Sequence, residues 1–150
     1  MSPPRTLAQI ILAGCACAVT LAGCIPIPYP IYKTLQPEAS VLVLDQKGQP
    51  ISGAQVTLIA KAHPAPFEQS RETKISDTQG VARFERRQEW KTEVIFIHGS
   101  LAYYWNWCIA HRGYATYESG RSGVEFEPDL TVHLQPGTST PCEPPDTKRR

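Results

Sequence analysis

Short stretches with β-type alternation occupy most of this chain between Ser40 and about Gln135, and they constrain its fold more than any other feature. In residues 54–61, apolar and polar side chains alternate with the period of two that a half-buried strand requires. No segment has the 3.6-residue periodicity and the end caps of a helix. Strands are also expected over 40–45, 81–85, 92–98, 104–110 and 130–134, and a polar, proline-containing loop over 63–71. Short strands separated by Gly- and Pro-containing turns predict an all-β chain folded as a β-sandwich.

Two turns between these strands contain residues with specific backbone roles. Gly48 and Gly53 can supply positive φ where the chain reverses, and Pro50 between them fixes φ. In a later turn, Asp77 can accept backbone N–H bonds and Gly80 can adopt the left-handed conformation. These residues are therefore predicted to build the fold and not a catalytic site.

The same turns resemble a known domain family. Residues 41–45 (Val-Leu-Val-Leu-Asp) and 48–58 (Gly-Gln-Pro-Ile-Ser-Gly-Ala-Gln-Val-Thr-Leu) are similar to the opening of carboxypeptidase regulatory-like domains. The Ser-Asp-Thr-Gln-Gly turn at 76–80, a strand leading to Gly-Tyr at 108–114 and a final Val-His-Leu-Gln-Pro-Gly at 132–137 continue the pattern. The resemblance covers about two thirds of the chain. It implies a single transthyretin/prealbumin-like β-sandwich of about seven strands over residues 40–137.

The first 23 residues have the three parts of a secretory signal peptide. Arg5 supplies the positive charge, residues 7–20 are apolar, and Leu21-Ala22-Gly23-Cys24 resembles a bacterial lipobox. At such a sequence the chain is cut before a cysteine that has received a diacylglycerol, so we expect lipidation at Cys24 and a membrane as partner. One alternative is an uncleaved anchor, although the apolar run is shorter than the roughly 20 residues that span a bilayer. Another is the identical tetrapeptide at 12–15, which would leave an apolar segment of only about eight residues.

The segment 24–39 is predicted to be a linker. Alternating prolines at 26–30 fix φ and remove backbone donors, which favours an extended polyproline II spacer. The residue after the lipidated cysteine is Ile25 and not Asp. By the sorting rule of the lipoproteins that this chain resembles, this favours the outer membrane of a bacterial cell envelope. Residues 138–150 are expected to form an irregular C-terminal tail.

The cysteines are consistent with an extracytoplasmic protein. Cys15 and Cys17 would leave with the signal peptide, and Cys24 would carry lipid. The remaining pair, Cys108 and Cys142, is predicted to form a disulfide, a bond that persists in such compartments. The alternative is a buried free thiol at the first position and a loop thiol at the second.

The charge balance excludes one class of partner. Removing the signal peptide takes Arg5 from the 15 basic residues and nothing from the 14 acidic ones, which leaves 14 of each. A nucleic-acid-binding domain normally has a strong basic excess, so no nucleic-acid partner is expected. The basic end at 148–150 is interpreted as a solvated terminus.

Motifs for catalysis and metal binding are weak. Residues 94–99 (Val-Ile-Phe-Ile-His-Gly) resemble the strand and oxyanion loop of an α/β-hydrolase only superficially, because no Gly-x-Ser-x-Gly elbow accompanies them. Transthyretin-like enzymes that hydrolyse 5-hydroxyisourate carry a C-terminal Tyr-Arg-Gly-Ser, whereas residues 146–150 are Asp-Thr-Lys-Arg-Arg. No short metal-ligand spacing joins the four histidines, His63, His98, His111 and His133. We therefore expect no enzyme activity, cofactor or metal, with hydrolase activity as the least favoured alternative.

The densest aromatic cluster is Tyr103-Tyr104-Trp105-Asn106-Trp107. In a strand, Trp105, Trp107 and Ile109 would share one face, and Tyr104, Asn106 and Cys108 the other. One interpretation is that the large rings fill a small core. The other is that Tyr103, Tyr104, Trp105 and Trp107 form a ligand-binding surface for a glycan such as peptidoglycan, or for a protein. The function expected first is a membrane-anchored, non-catalytic interaction or structural module, with glycan binding as the alternative.

Overall fold

The computed structural model describes residues 27–63, 67–95, 102–119 and 126–142, and these residues form strands, turns and irregular segments but no helix. The strands are β1 (Ile27–Gln36), β2 (Ala39–Leu44), β3 (Gln55–His63), β4 (Glu68–Ile75), β5 (Val81–Phe84), β6 (Arg87–Ile95), β7 (Ala102–Ala110), β8 (Tyr117–Glu118) and β9 (Asp129–His133). The prediction of an all-β chain is confirmed. The chain divides into two compact units. In the first unit, Met1–Pro30 with Thr92–Ser100, the described residues are the beginning of β1 (27–30) and the end of β6 (92–95).

The second unit, Ile31–Lys91 with Leu101–Arg150, contains a β-sandwich. One sheet has the order β5-β2-β9, and the other has the order β4-β3-β7-β8. Strand β2 pairs antiparallel with β5 and parallel with β9, while β3 pairs antiparallel with both β4 and β7. Strands β1 and β6 form a separate two-stranded sheet.

One apolar cluster joins the two larger sheets. Val41 and Val43 of β2 are fully buried, as are Val56 of β3 and Ile109 of β7. Phe84 packs its ring edgewise on another member of the cluster, with ring centroids 5.2 Å apart. Because side chains alternate between the two faces of a strand, each strand contributes every second residue to this core.

Strand β3 differs from the half-buried strand that its sequence predicts, because both of its faces are covered. Thr57 and Ile59, on the face away from the core, are buried as fully as Val56 and Leu58. Directly paired residues in an antiparallel sheet share a face, and Thr57 is paired with Cys108. The C-terminal segment, which is covalently joined to Cys108, therefore lies beside this row.

The prediction of a loop over 63–71 is wrong for residues 68–71. Strand β4 begins at Glu68 and pairs with β3, with a register irregularity at Ala60/Lys61. The strand is highly charged, and Arg71 donates two hydrogen bonds to Glu68 at 2.8 and 2.9 Å. Charged side chains are typical of edge strands, which must avoid pairing with other chains, and they remove the apolar alternation that identifies a strand. Residues 64–66 of the predicted loop lie outside the described residues.

The linker prediction also differs from the structure in part. Residues 27–36 form β1, which pairs with β6, and not a polyproline II spacer. Pro28 and Pro30 are two positions apart, so their missing N–H donors lie on the same edge of the strand, and pairing can proceed along the other edge. Strand β6 begins at Arg87, earlier than predicted, and the end of the predicted strand at 96–98 lies outside the described residues.

The turns form as the sequence predicts. The Asp77 carboxylate accepts the backbone N–H groups of Gln79 and Val81 at 2.8 and 2.9 Å. Gly48, Gly53 and Gly80 all have positive φ, between 76° and 82°. These local interactions orient the strands before and after each turn.

Gly80 and Gly48 provide a matched pair of substitutions. A Cβ on Gly80 would lie 2.5 Å from the carbonyl oxygen of Val43 and 3.1 Å from Cβ of Pro50, whereas a Cβ on Gly48 would meet nothing within 4 Å. Both have a φ of +76°. We expect Gly48→Ala to lower the free energy of unfolding by about 1–2 kcal/mol through backbone strain, and Gly80→Ala by about 2–5 kcal/mol because steric overlap is added. Urea unfolding measures both, and equal losses would contradict the close approach.

A second prediction concerns acid stability. The backbone N–H of Val81 holds the pKa of Asp77 below its ordinary value, with further lowering by the N–H of Gln79 and the charge of Arg83. A lowered folded-state pKa stabilises the fold above the unfolded-state pKa, and the contribution is lost as pH falls through the folded-state pKa. Asp77→Asn should therefore lower the urea midpoint at pH 7, and this difference should shrink below about pH 4.

The control for this prediction is Arg83→Gln. Because the backbone donor at Val81 acts more strongly on the Asp77 pKa than the Arg83 charge, this variant should keep most of the pH dependence of the wild type. A midpoint difference for Asp77→Asn that is the same from pH 7 to pH 2 would assign the effect to altered turn geometry and not to charge.

Candidate functional site

The aromatic cluster of β7 belongs mainly to the core. Trp107 is 3% exposed, and its indole N–H donates to the carbonyl oxygen of Glu127 at 3.1 Å. Its ring stacks on Phe126 with centroids 5.6 Å apart and contacts Phe84 edgewise. Buried tryptophans normally satisfy their N–H in this way. Trp107 is thus a packing residue whose polar atom is already bonded.

Trp105 lies on the same face and is half-buried. Its indole N–H donates to the carbonyl oxygen of Leu35 at 3.1 Å, and its ring lies 5.6 Å from that of Phe126. Trp105, Trp107 and Ile109 therefore share the core side of β7, as the alternation predicts.

Tyr103 and Tyr104 are also half-buried. The ammonium group of Lys33 lies 4.4 Å from the centroid of the Tyr103 ring, a cation–π distance. Tyr104 lies on the other face, paired with Lys61. Beside it, a small cavity of about 40 Å³ is lined by residues that include Asn106 and Cys108. This volume is far below the roughly 300–1,000 Å³ of small-molecule pockets. The four aromatic residues named by the sequence thus form no continuous exposed platform.

Cys108 and Cys142 form a disulfide, with Cα atoms 5.9 Å apart, as predicted. Hydrogen bonds hold the same tail segment. Thr116 Oγ1 donates to the carbonyl oxygen of Thr140 at 2.6 Å and accepts the N–H of Thr140 at 2.9 Å. The tail up to Cys142 is irregular in structure, yet both covalent and polar contacts tie it to the sandwich.

A larger groove lies where β2 and β9 begin and β5 ends. Its volume is about 760 Å³, and its lining includes charges of both signs, from Arg83 and Arg86 and from Glu38, Glu85 and Asp129. Ser40 donates to the Asp129 carboxylate at 2.8 Å, so part of this polar lining is paired internally. The groove is large enough for a polar ligand, but five of its lining side chains are charged, whereas typical ligand pockets contain only a few polar groups.

The titratable groups with shifted pKa values have structural partners. Burial acts to raise the pKa of Glu72, but hydrogen bonds from Lys74 and Gln36 outweigh it, and the net pKa is lowered. The Lys74 ammonium donates this hydrogen bond to the Glu72 carboxylate, which raises the pKa of Lys74. With Asp77, these groups lie on β4 and the turn that follows it. Their shifts come from ion pairing and turn formation.

His111 and His133 contact different groups. The ring Nδ1 of His133 is 3.0 Å from the carbonyl oxygen of Asp45. Nδ1 of His111 is buried and has no hydrogen-bond partner among the described residues, and its ring lies 5.5 Å from that of Tyr114. Within 27–63, 67–95, 102–119 and 126–142, no three His, Cys, Asp or Glu residues are arranged to hold a metal ion. His98 lies outside these ranges, as does Cys24.

One exposed aromatic pair is not predicted by the sequence pattern. Tyr32 of β1 and Trp90 of β6 have ring centroids 5.3 Å apart, and both side chains are exposed. Trp90 is the single apolar residue in the run 86–91, which is otherwise charged or polar. That local contrast is the sequence signal that could have identified it.

Comparisons with known proteins return no match for this chain among family models, curated proteins or solved structures. In the portion of the chain that the structure describes, no helix has the length and apolar character needed to cross a membrane.

The disulfide is expected to stabilise the native fold substantially. It closes a loop with a sequence separation of 34 residues, which corresponds to about 3–4 kcal/mol on the chain-entropy model. Replacing both cysteines by serine should lower the melting temperature by at least several degrees, measured by circular dichroism against the oxidised wild type. The Thr116→Val variant is a control that removes only the tail's side-chain hydrogen bonds and should cost about 1 kcal/mol. Two reactive thiols at 108 and 142 in unreduced, denatured protein would contradict the bond.

Proposed function

We propose that this chain is a membrane-anchored lipoprotein of the bacterial cell envelope. Its β-sandwich acts as a non-catalytic interaction or structural module of the carboxypeptidase regulatory-like, transthyretin-like type. The membrane is its first partner, through a lipid on Cys24, and an envelope protein or glycan is its second. Ile25 after the lipidated cysteine favours the outer membrane.

The observation that carries the proposal is how the cysteines are used. Of the three that follow residue 23, Cys108 and Cys142 are joined in a disulfide, a bond typical of proteins outside the cytoplasm. Cys24 is then the single thiol left after removal of the signal peptide, and it directly follows Leu-Ala-Gly. One extracytoplasmic interpretation thus accounts for all of the remaining cysteines.

The role of the family-like residues supports a module without catalytic chemistry. The Asp45 carboxylate accepts the backbone N–H groups of Lys47 and Gln49, both at 2.8 Å. Ser76 accepts the N–H of Ala54 at 2.9 Å and donates to the carbonyl oxygen of Ile51 at 2.7 Å. Their polar atoms are engaged in holding turns, so the motif that resembles the family supports the fold.

Glycan binding through Tyr103, Tyr104, Trp105 and Trp107 has less support from the geometry. Sugar-binding platforms expose coplanar rings, whereas Trp107 is buried and the indole N–H groups of both tryptophans are bonded to backbone carbonyls. Hydrolase activity has still less support, because the residues that the structure describes contain no group of side chains arranged as a nucleophile with its base.

Lipidation is tested by Cys24→Ala in the full-length chain, expressed in a diderm bacterium. The variant should lack acylation, accumulate as unprocessed precursor, and release any processed product from the membrane fraction. Mass spectrometry of the N-terminal peptide and membrane fractionation measure these outcomes. The matched control, Cys15→Ala, should be processed and acylated normally. An unmodified thiol at Cys24 in the wild type, or a normal product from Cys24→Ala, would refute the proposal.

A further inference from the structure

The exposed aromatic pair on the β1–β6 ribbon is unusual because its rings contact each other without being buried. Trp90 is 70% exposed and Tyr32 is 53% exposed, and their ring planes meet at 48°. A single exposed apolar side chain needs no explanation. Two large aromatics held together on neighbouring strands form a compact apolar patch with polar tips.

Strand alternation directs this pair away from the sandwich. On β1, the flanking Lys33 reaches the ring of Tyr103, so the odd-numbered residues next to Tyr32 face the sandwich. At the end of the strand, Leu35 and Gln36 are both buried. Tyr32 therefore points to the opposite side. On that side, Gln88 donates to Thr34 Oγ1 at 3.0 Å, which forms a polar row next to the aromatic pair.

The position of the pair along the chain indicates what it meets. Tyr32 lies eight positions after Cys24, and a fully extended segment of eight steps spans at most about 29 Å. A lipid on Cys24 therefore keeps Tyr32 within about 29 Å of the anchored cysteine, with its partner ring beside it. Tyrosine and tryptophan are the side chains that favour the membrane–water interface, because their apolar rings carry a polar tip.

We propose that Tyr32 and Trp90 form a second membrane contact that inserts into the phospholipid interface beside the acyl anchor. This inference rests on the proposed lipidation of Cys24. The acyl chains supply attachment, and the aromatic pair fixes the orientation of the sandwich on the surface.

The test uses the full, acylated protein purified from membranes and reconstituted in phosphatidylethanolamine–phosphatidylglycerol vesicles. The lipids carry bromine, a tryptophan quencher, either near the headgroup end or near the methyl end of the acyl chain. The chain has three tryptophans, so Trp90→Phe is compared with Trp105→Phe, a half-buried residue of β7. We expect quenching by the shallow bromines in the wild type and in Trp105→Phe, and its loss in Trp90→Phe.

Each remaining outcome overturns the inference in a recognisable way. Vesicle-bound protein with a diacylglycerol at Cys24 but no bromine quenching of Trp90 would refute the membrane contact and leave the proposed function intact. Trp90 emission that changes only on addition of peptidoglycan, or only with protein density, would assign the pair to a glycan or to a second copy. Protein without the lipid, by mass spectrometry, would refute both proposals together.

Discussion

Apolar packing between the three-stranded and four-stranded sheets holds the sandwich together. Val41 and Val43 on one sheet and Val56 and Ile109 on the other are completely removed from water. At roughly 25 cal/mol for each Å² of apolar surface buried, such a cluster is the main favourable contribution available to a domain of this size. The turns and the tail are arranged around it.

The central position of β2 follows from this core and from one glycine. The N–H of Val43 donates to the carbonyl oxygen of Gly80 at 2.8 Å, and the N–H of Ile51 donates to the carbonyl oxygen of Val43 at 2.9 Å. Gly80 can approach this closely because it has no Cβ. The turn before β5 is therefore pressed against β2, and the same strand then accepts β9 on its other edge.

The C-terminal tail shows how a small sandwich extends its stability beyond its core. Past β9, the chain has few apolar residues and would fray without a tie. Cys142 connects it to a buried position on β7, and Thr116 bonds it nearby. The tail therefore lies beside the buried residues on the outer face of β3, Thr57 and Ile59. The proposed membrane contact differs from the tail in this respect. Trp90 is not covered by any described part of the protein, and its exposed ring is what would contact the membrane.

Features that depend on neighbouring residues could be predicted from the amino-acid sequence. The strand pattern of β2 and β9, the carboxylate-capped turn at Asp77 and the left-handed glycines all follow from local stereochemistry, and the structure contains them. The disulfide followed from elimination, since only two cysteines remain after the first 24 residues. Tertiary structure alone decided that β4 is a strand, because its pairing with β3 stabilises a charged segment without periodicity. It also decided that Trp107 is buried and Trp90 exposed. Both are tryptophans in strands, and only the surface lying across from each determines whether its ring meets protein or solvent.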